Sequence, residues 1–332
     1  MKQENTRTAN WEAPNGTLLP DFIIGGAMKS GTTTLHAILN AHPCVYIPPG
    51  EIHFFDIDNI LQHSDFNFYD DTRDVWTTQS MEDDPAKMWQ WYLSKFEGKD
   101  HLVTGEDSTT YLASPTAAER IAMQPKAIKL IFVLRQPTQR AYSQYHHMLR
   151  TGRATYSFED TIRFDPTSIL ERSLYGQQLM SYYQYIPRNR IKVVLFEDLV
   201  EGGEQTIKAI CDFLGIHFDD LDKGALATHT NQAVVPKDIR VQRFRNRLLR
   251  EMGSRHYLNF LPNTPEIPAD SVPRIVRLID RVHRRLNPLR EGKPPPMKKS
   301  TKVFLDTYFK RELSSIEALI EQEVLTKWFG VS

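Results

Sequence analysis

Lysine, serine and three threonines crowd one run of ten residues, Gly26-Ala27-Met28-Lys29-Ser30-Gly31-Thr32-Thr33-Thr34-Leu35. It follows a short apolar stretch, Phe22-Ile23-Ile24, and precedes a stretch with helical character. A strand-to-helix turn of this kind presents backbone N–H groups to an anion, and glycines at 25, 26 and 31 permit the close turn. The plainer reading is a glycine-rich turn with no ligand, but it gives the lysine and the hydroxyls no packing purpose.

A second apolar run, Leu130-Ile131-Phe132-Val133-Leu134, ends in Arg135. Nucleotide triphosphatases often end such a strand with an acidic residue for Mg²⁺, and carry the loop lysine after the second glycine. Here Thr32 stands after Gly31 and the lysine has moved to position 29. A cation at the strand end suits a second phosphate instead. Ser143, eight residues after Arg135, falls about two turns into the following helix and joins it. Taken singly, Arg135 reads as a surface ion pair and Ser143 as a helix-surface hydroxyl. A third feature is Glu51-Ile52-His53-Phe54-Phe55-Asp56. In an extended segment Glu51 and His53 share one face, with Ile52 and Phe54 on the other. That places a carboxylate and an imidazole together for proton transfer. The bland alternative is a Glu51 paired with a surface lysine and a satisfied core histidine. No HxxxH or CxxC pair is present, so no metal is expected.

Lys29-Ser30-Gly31-Thr32-Thr33 and Leu134-Arg135-Gln136-Pro137…Arg140-Ala141-Tyr142-Ser143-Gln144-Tyr145 together resemble the sulfotransferases that use 3′-phosphoadenosine 5′-phosphosulfate (PAPS). The segment Glu51–Asp56, the stretch Gly105–Pro115, and Arg172-Ser173-Leu174-Tyr175 resemble the carbohydrate branch, heparan sulfate sulfotransferases included, in a bacterial-type member. The resemblance runs from about residue 20 to the C-terminus. It implies sulfuryl transfer from PAPS, leaving adenosine 3′,5′-bisphosphate, to a hydroxyl or amine of a glycan or small-molecule acceptor, with no metal. It implies that Lys29 contacts the oxygen bridging phosphate and sulfate, and that Ser30, Gly31, Thr32, Thr33 and Thr34 bind the 5′-phosphate. Arg135 and Ser143 would hold the 3′-phosphate, and Tyr175 would lie near the nucleotide. Asn231…Pro236-Lys237…Arg240 resembles a cofactor-covering loop, so Lys237 and Arg240 would reach the phosphates. Glu51 would be the base with His53 assisting; histidine is the base in the family's cytosolic branch, which keeps His53 as the rival. Asp107 and Thr109 depart from the branch's Glu-Lys-(Ser/Thr)-Pro segment. The exchange puts an anion at the acceptor cleft and disfavours a sulfated or uronic-acid acceptor. The competing functions are a P-loop kinase or hydrolase and an inactive anion-binding relative.

These residues need elements to hold them. Strands are predicted at 22–26, 45–47, 102–105, 128–134 and 191–196. Helices are predicted at 33–40, 86–97, from 137 through 149, and at 168–185, 205–214 and 300–322. Residues 57–85 read as a long acidic excursion. Short apolar strands alternating with helices predict an α/β fold, a P-loop-like parallel sheet flanked by helices with a helical C-terminal cap. Residues 1–19 read as a flexible leader and 20–332 as a single domain, with the α/β core over 20–230 and the covering loop and C-terminal helices over 231–332.

Composition excludes further classes. Lys plus Arg and Asp plus Glu are 41 each among 332 residues, so formal charge is zero, unlike a duplex-binding protein. Charge is uneven: residues 51–84 hold ten acidic residues against Arg73, and residues 237–255 seven basic against two acidic. In the basic stretch Arg240, Arg243, Arg247 and Arg250 share one face and Val241, Phe244 and Leu248 another, which reads as the solvated face of an amphipathic helix. Aromatic platforms are not interleaved with the arginines, so no nucleic acid is expected. Two cysteines, Cys44 and Cys211, fit a reducing compartment and rule out a disulfide scaffold. No apolar run reaches the roughly 20 residues of a membrane span, and the N-terminus lacks a signal peptide's apolar stretch. The expectation is a cytoplasmic protein; a luminal fragment would read the same way.

Overall fold

The structure is a computed structural model that describes residues 10–227, 234–249, 260–265 and 273–330. In chain order the elements that frame the site begin with β1 (Phe22–Gly26), α1 (Thr32–Asn40), β2 (Val45–Tyr46), β3 (Phe68–Asp70) and β4 (Val75–Thr77). Then come α2 (Pro85–Leu93), β5 (Val103–Asp107), β6 (Lys129–Leu134), α3 (Pro137–Arg150), α4 (Tyr175–Tyr185), β7 (Ile191–Leu195) and α5 (Gly203–Leu214). The C-terminal third holds β8 (Val234–Pro236), α6 (Ile239–Leu248), α7 (Arg274–Leu286), β9 (Leu289–Glu291) and α8 (Lys299–Glu312).

Five parallel strands form the central sheet in the order β2-β5-β1-β6-β7. Every residue of β1 is buried, because strands in such a sheet are covered on both faces. Side chains alternate between the faces. Ile23, Leu130, Phe132 and Leu134 pack with Leu179 and Tyr182 of α4 and with Leu305 and Phe309 of α8. Phe22, Ile24, Ile131 and Val133 pack with Leu35 and Leu39 of α1 and with Ile207 and Ile210 of α5. From β1 the chain winds first toward β2 and β5, then to β6 and β7. The strand order therefore reverses beside the carboxyl ends of β1 and β6, where open α/β sheets bind ligands.

The leader expected over residues 1–19 is seated on the core from Asn10 onward. Trp11 and Leu19 are buried. The Gln124 amide donates to the Trp11 carbonyl at 2.6 Å, and the Arg120 guanidinium lies 3.6 Å from the Trp11 ring centroid. The acidic excursion contains a hairpin, β3 pairing antiparallel with β4. The last predicted helix is two: α8 ends at Glu312, and a second helix spans Ile316–Ile320. Leu313, Ile316, Ile320 and Trp328 still pack on the same core face, as the expected cap requires. The basic helix α6 exposes Arg240 and Arg247, as its reading as a solvated face requires, but its apolar side is turned outward as well. It buries Gln242 and Asn246 and exposes Phe244 and Leu248. Cys44 and Cys211 are free thiols.

Candidate active site

The loop after β1 takes a shape that few residues tolerate. Lys29 has φ 68° and Gly31 φ 88°, both in the left-handed region. A Cβ on Gly31 would lie 2.8 Å from the Phe196 ring, so glycine is required for space as well as backbone. Lys29 carries the cost of a non-glycine residue there, which is a feature of functional loops. Gly31 starts α1 with no side-chain cap, and no acidic residue lies in the first turn. The leading N–H groups of that helix are thus available to an anion. The Ser30 hydroxyl is buried beneath the loop without a hydrogen-bond partner. Burial, reinforced by repulsion from Arg150, lowers the Lys29 ammonium pKa, and Glu51 counteracts this.

Arg135 leaves the end of β6 and donates to the Lys29 carbonyl at 3.1 Å. Its guanidinium lies 4.6 Å from the centroid of the Phe196 ring. The Tyr175 hydroxyl donates to the Arg135 carbonyl at 2.8 Å, so Tyr175 grips the strand end from behind and does not line the cleft. Arg140 is wholly buried and donates through Nε to Ser173 and through Nη2 to the Ile169 carbonyl. It ties α3 to the segment preceding α4. Ser143 presents its hydroxyl side of α3 to the same cleft as Arg135.

Glu51 and His53 meet, though not through an extended segment. His53 has φ 58°, and the chain turns at once into a short 3₁₀ helix, Phe54–Asp56. Phe54 and Phe55 fix that turn: both are fully buried, and Phe54 stacks on Tyr92 at 4.2 Å between centroids. The His53 backbone N–H donates to Ser108 Oγ at 2.8 Å, and Ser108 donates to the buried Glu106 at 2.6 Å. In the resulting pair His53 Nε2 lies 3.2 Å from Glu51 Oε2, and Thr109 Oγ1 donates to that oxygen at 2.7 Å. Burial opposes charge on Glu51, but the His53 hydrogen bond and charge and the Thr109 bond outweigh it and hold Glu51 at about 2. Burial likewise opposes charge on His53, and Glu51 overrides it, raising His53. Behind the pair, His53 Nδ1 lies 3.0 Å from Thr110 Oγ1, and His63 Nε2 lies 2.8 Å from Asp56 Oδ1. One ligand atom each from His53, Asp56 and His63 falls within 4.8 Å of the others. His53 is engaged with Glu51 and Thr110 and His63 Nε2 with Asp56 Oδ1, while the buried Asp56 Oδ2 has no hydrogen-bond partner.

One cleft of about 1570 Å³ gathers most of the expected residues: Lys29, Gly31, Thr32, Thr33, Thr34, Glu51, His53, Arg135 and Ser143. Ser30 lies under it. Lys237 and Arg240 are exposed and off its wall. Lys237 N–H donates to the Pro288 carbonyl and Arg240 N–H to Asp238, which caps α6 and directs the chain away. Asn231 lies outside the described residues. Asp107 is not an acceptor-cleft anion: it is buried off the wall, with Oδ2 3.3 Å from His36 Nδ1 of α1. Burial, with the His36 bond opposing, brings its carboxyl up to about 6. The wall includes residues that sequence reasoning did not single out, namely His147, Arg150, Arg153, Arg172 and Lys293. His147 and Arg150 follow Ser143 by four and seven residues, one helix face that the spacing already offered.

Comparison with known proteins bears on the family and the fold. Residues 20–220 match the family model described as "Sulfotransferase family". Mouse (Mus musculus) heparan sulfate glucosamine 3-O-sulfotransferase 5 is 28% identical over 211 residues, 60% of this chain and 54% of its own. Human (Homo sapiens) bifunctional heparan sulfate N-deacetylase/N-sulfotransferase 2 is 29% identical over 239 residues, 62% of this chain and 24% of its own. The chain thus spans about half the length of the first relative and a quarter of the second. A crystal structure of a sulfotransferase from Alicyclobacillus acidocaldarius shares the fold, with TM-score 0.59, 23% identity, and coverage of 94% of this chain and 99% of that one.

Proposed function

This chain belongs to the sulfotransferase family, and from that membership we propose that it transfers a sulfuryl group from PAPS to a hydroxyl or amine of a glycan or small-molecule acceptor. The observation that carries the reading is the meeting of the loop lysine, the strand-end arginine and the Glu51–His53 pair on one cleft. The phosphate side fits a bisphosphorylated nucleotide. The orphaned Ser30 hydroxyl and the uncapped start of α1 suit one phosphate. Arg135 and Ser143 suit the other. Among the described residues neither Lys29 nor Arg135 has a carboxylate within ion-pair distance, so both cations are available to a ligand. PAPS supplies the activated sulfuryl group.

The chain's own residues do the rest. Lys29 provides fixed positive charge where the leaving phosphate gains negative charge. The Glu51–His53 pair takes the proton that the acceptor loses. Both contacts to Glu51 fall on Oε2, and Oε1 carries neither, which leaves an oxygen for the acceptor. The side of the cleft around Glu51 also carries Arg150, Arg153 and Arg172. Arg153 pairs with Asp65 at 3.2 Å. Arg150 and Arg172 have no carboxylate partner among the described residues. This wall favours an acceptor bearing a carboxylate or sulfate, and with Asp107 turned to His36 the main objection to one is gone.

The reading routes no step through a metal, since His53 serves the proton-accepting pair and Lys29 and Arg135 supply the fixed positive charge. A kinase or hydrolase is disfavoured by the displaced lysine and by Arg135 at the strand end. The test is incubation of a glycan and small-molecule acceptor library with labelled PAPS, with and without excess EDTA, beside binding of adenosine 3′,5′-bisphosphate and of ATP with Mg²⁺. Label transfer that survives EDTA supports the reading. Binding of ATP–Mg²⁺ in preference to the bisphosphate overturns it.

A further inference from the structure

Two neighbouring helices on the outside of the C-terminal third are turned the wrong way for a protein in water. Helix α7 carries Ile275, Leu278, Ile279, Val282 and Leu286, an i, i+3, i+4, i+7, i+11 pattern that forms one stripe. Such a stripe normally faces the core. Here all five are exposed, from 40% at Ile279 to 69% at Leu286. The face turned inward is polar. Asp280 is buried and bonded to Arg245 at 2.6 Å, and His283 lies 3.0 Å from Gln242 Oε1. Asn287 exchanges two hydrogen bonds with the Asp238 backbone.

Helix α6 repeats the inversion. Gln242 and Asn246 are buried, and Asn246 donates to the carbonyls of Leu149 and Ala154 at 2.8 and 2.9 Å. Val241, Phe244 and Leu248, spaced i, i+3, i+7, are 44%, 65% and 57% exposed. Both helices are therefore fastened to the body by hydrogen bonds and ion pairs, and both show their apolar side. Exposed apolar stripes of this kind mark a docking site.

Charge identifies what docks. Each helix has a third face, beside the apolar one, made of arginine: Arg274, Arg277, Arg281, Arg284 and Arg285 on α7, and Arg240, Arg243 and Arg247 on α6. The one acidic residue within the two helices, Asp280, is buried and already paired with Arg245 and Arg284. A second copy laid face to face would set arginine against arginine. A surface of anionic headgroups over an apolar interior complements both faces at once. We propose that α6 and α7 form an interfacial platform that seats this protein on an anionic lipid surface. The apolar stripes enter the headgroup boundary and the arginines meet the phosphates. Val234 of β8 and residues 293–297, which follow β9, line the cleft, so seating the platform sets the cleft mouth beside the lipid.

The test is sedimentation of the full chain with vesicles of phosphatidylcholine alone and of phosphatidylcholine with phosphatidylglycerol. Two variants are run in parallel: Leu278→Ser with Val282→Ser, and Arg281→Glu with Arg285→Glu. All four positions are exposed, so the fold should hold, and unchanged binding of adenosine 3′,5′-bisphosphate checks that it does. The expected result is sedimentation with the phosphatidylglycerol vesicles only, at least tenfold reduced in both variants and weakened by salt. Failure to sediment with anionic vesicles, or sedimentation that neither variant reduces, overturns the proposal. A monomer–dimer equilibrium abolished by the Leu278→Ser, Val282→Ser variant assigns the face to a second copy and overturns it too.

Discussion

Glu51 and His53 stand 3.2 Å apart, and each favours the other's charge against the burial that opposes it. At a pKa of about 2, Glu51 alone is a weak base. The pair accepts a proton well only after His53 has lost its own. We therefore predict that kcat/KM rises with pH through a midpoint above the ordinary histidine value of 6.5, the direction in which His53 is shifted. In Glu51→Gln the main supporting charge is gone, only the weaker pull of Asp56 and Glu106 opposes burial of His53, and the midpoint moves down. If general-base catalysis supplies about 10²–10⁴-fold, the plateau rate falls by that order in this variant. A pH limb that stays in place in Glu51→Gln removes His53 from the reaction. His53→Ala measured beside it decides which residue matters more.

Arg135 is held by Tyr175 behind it and by Phe196 across its face. A charge-assisted hydrogen bond contributes about 1.5–3 kcal/mol. Arg135→Ala is expected to weaken adenosine 3′,5′-bisphosphate roughly ten- to a hundredfold while leaving AMP nearly unchanged, as calorimetry would show. Tyr175→Phe removes a tether and not a ligand contact, so it should cost less and on the bisphosphate alone. An equal loss on both nucleotides in Arg135→Ala would place its guanidinium away from the 3′-phosphate.

Lys29 sits in left-handed backbone with its ammonium already destabilised by burial. Its charge is worth most when the leaving oxygen becomes negative. Lys29→Ala should lower kcat by more than it weakens the bisphosphate. Single-turnover rates and calorimetry on the same preparation make the comparison, and an unchanged kcat refutes the role.

The residues proposed to hold the phosphates were legible in the sequence as one cluster because they are local. Gly25, Gly26 and Gly31 punctuate one strand-turn-helix unit, and Arg135 and Ser143 sit on the next. Glu51 and His53 were legible as a pair, but for another reason than the one that joins them. The spacing argued for an extended segment, whereas buried Phe54 and Phe55 impose a turn that only tertiary packing reveals. Tyr175 was read toward the nucleotide, and its hydroxyl binds the backbone of Arg135 instead. Periodicity identified α6 as amphipathic and could not say which face is buried. Asn246 decides that, by satisfying two carbonyls at the end of α3 and beyond. Arg172 reaches the cleft from a segment far from it in sequence, and the resemblance of Arg172-Ser173-Leu174-Tyr175 carries no role for it.

Arg172 and Arg150 supply the remaining prediction. Arg172 donates to Gln62 through Nε and Nη2, both at 3.1 Å, and its charge is disfavoured by burial and then by Arg153. Arg150 is exposed at the end of α3, with Nη2 3.3 Å from His147 Nδ1. A half-buried cation without a carboxylate partner is a ready site for a ligand anion. Arg172→Gln should therefore raise KM for an acceptor carrying a carboxylate or sulfate by roughly ten- to a hundredfold, the worth of one charge-assisted hydrogen bond. Arg150→Ala should act in the same direction but less, since water and salt screen its charge, and its effect should fade as ionic strength rises. Neither variant should change the affinity for adenosine 3′,5′-bisphosphate or the rate with a neutral acceptor. Matched acceptors, a glucuronide and the corresponding glucoside, measured with both variants separate the outcomes. A wild-type enzyme that uses the two equally well, or an Arg172→Gln loss of the same size on both, would mean that these arginines shape the cleft without reading the acceptor's charge.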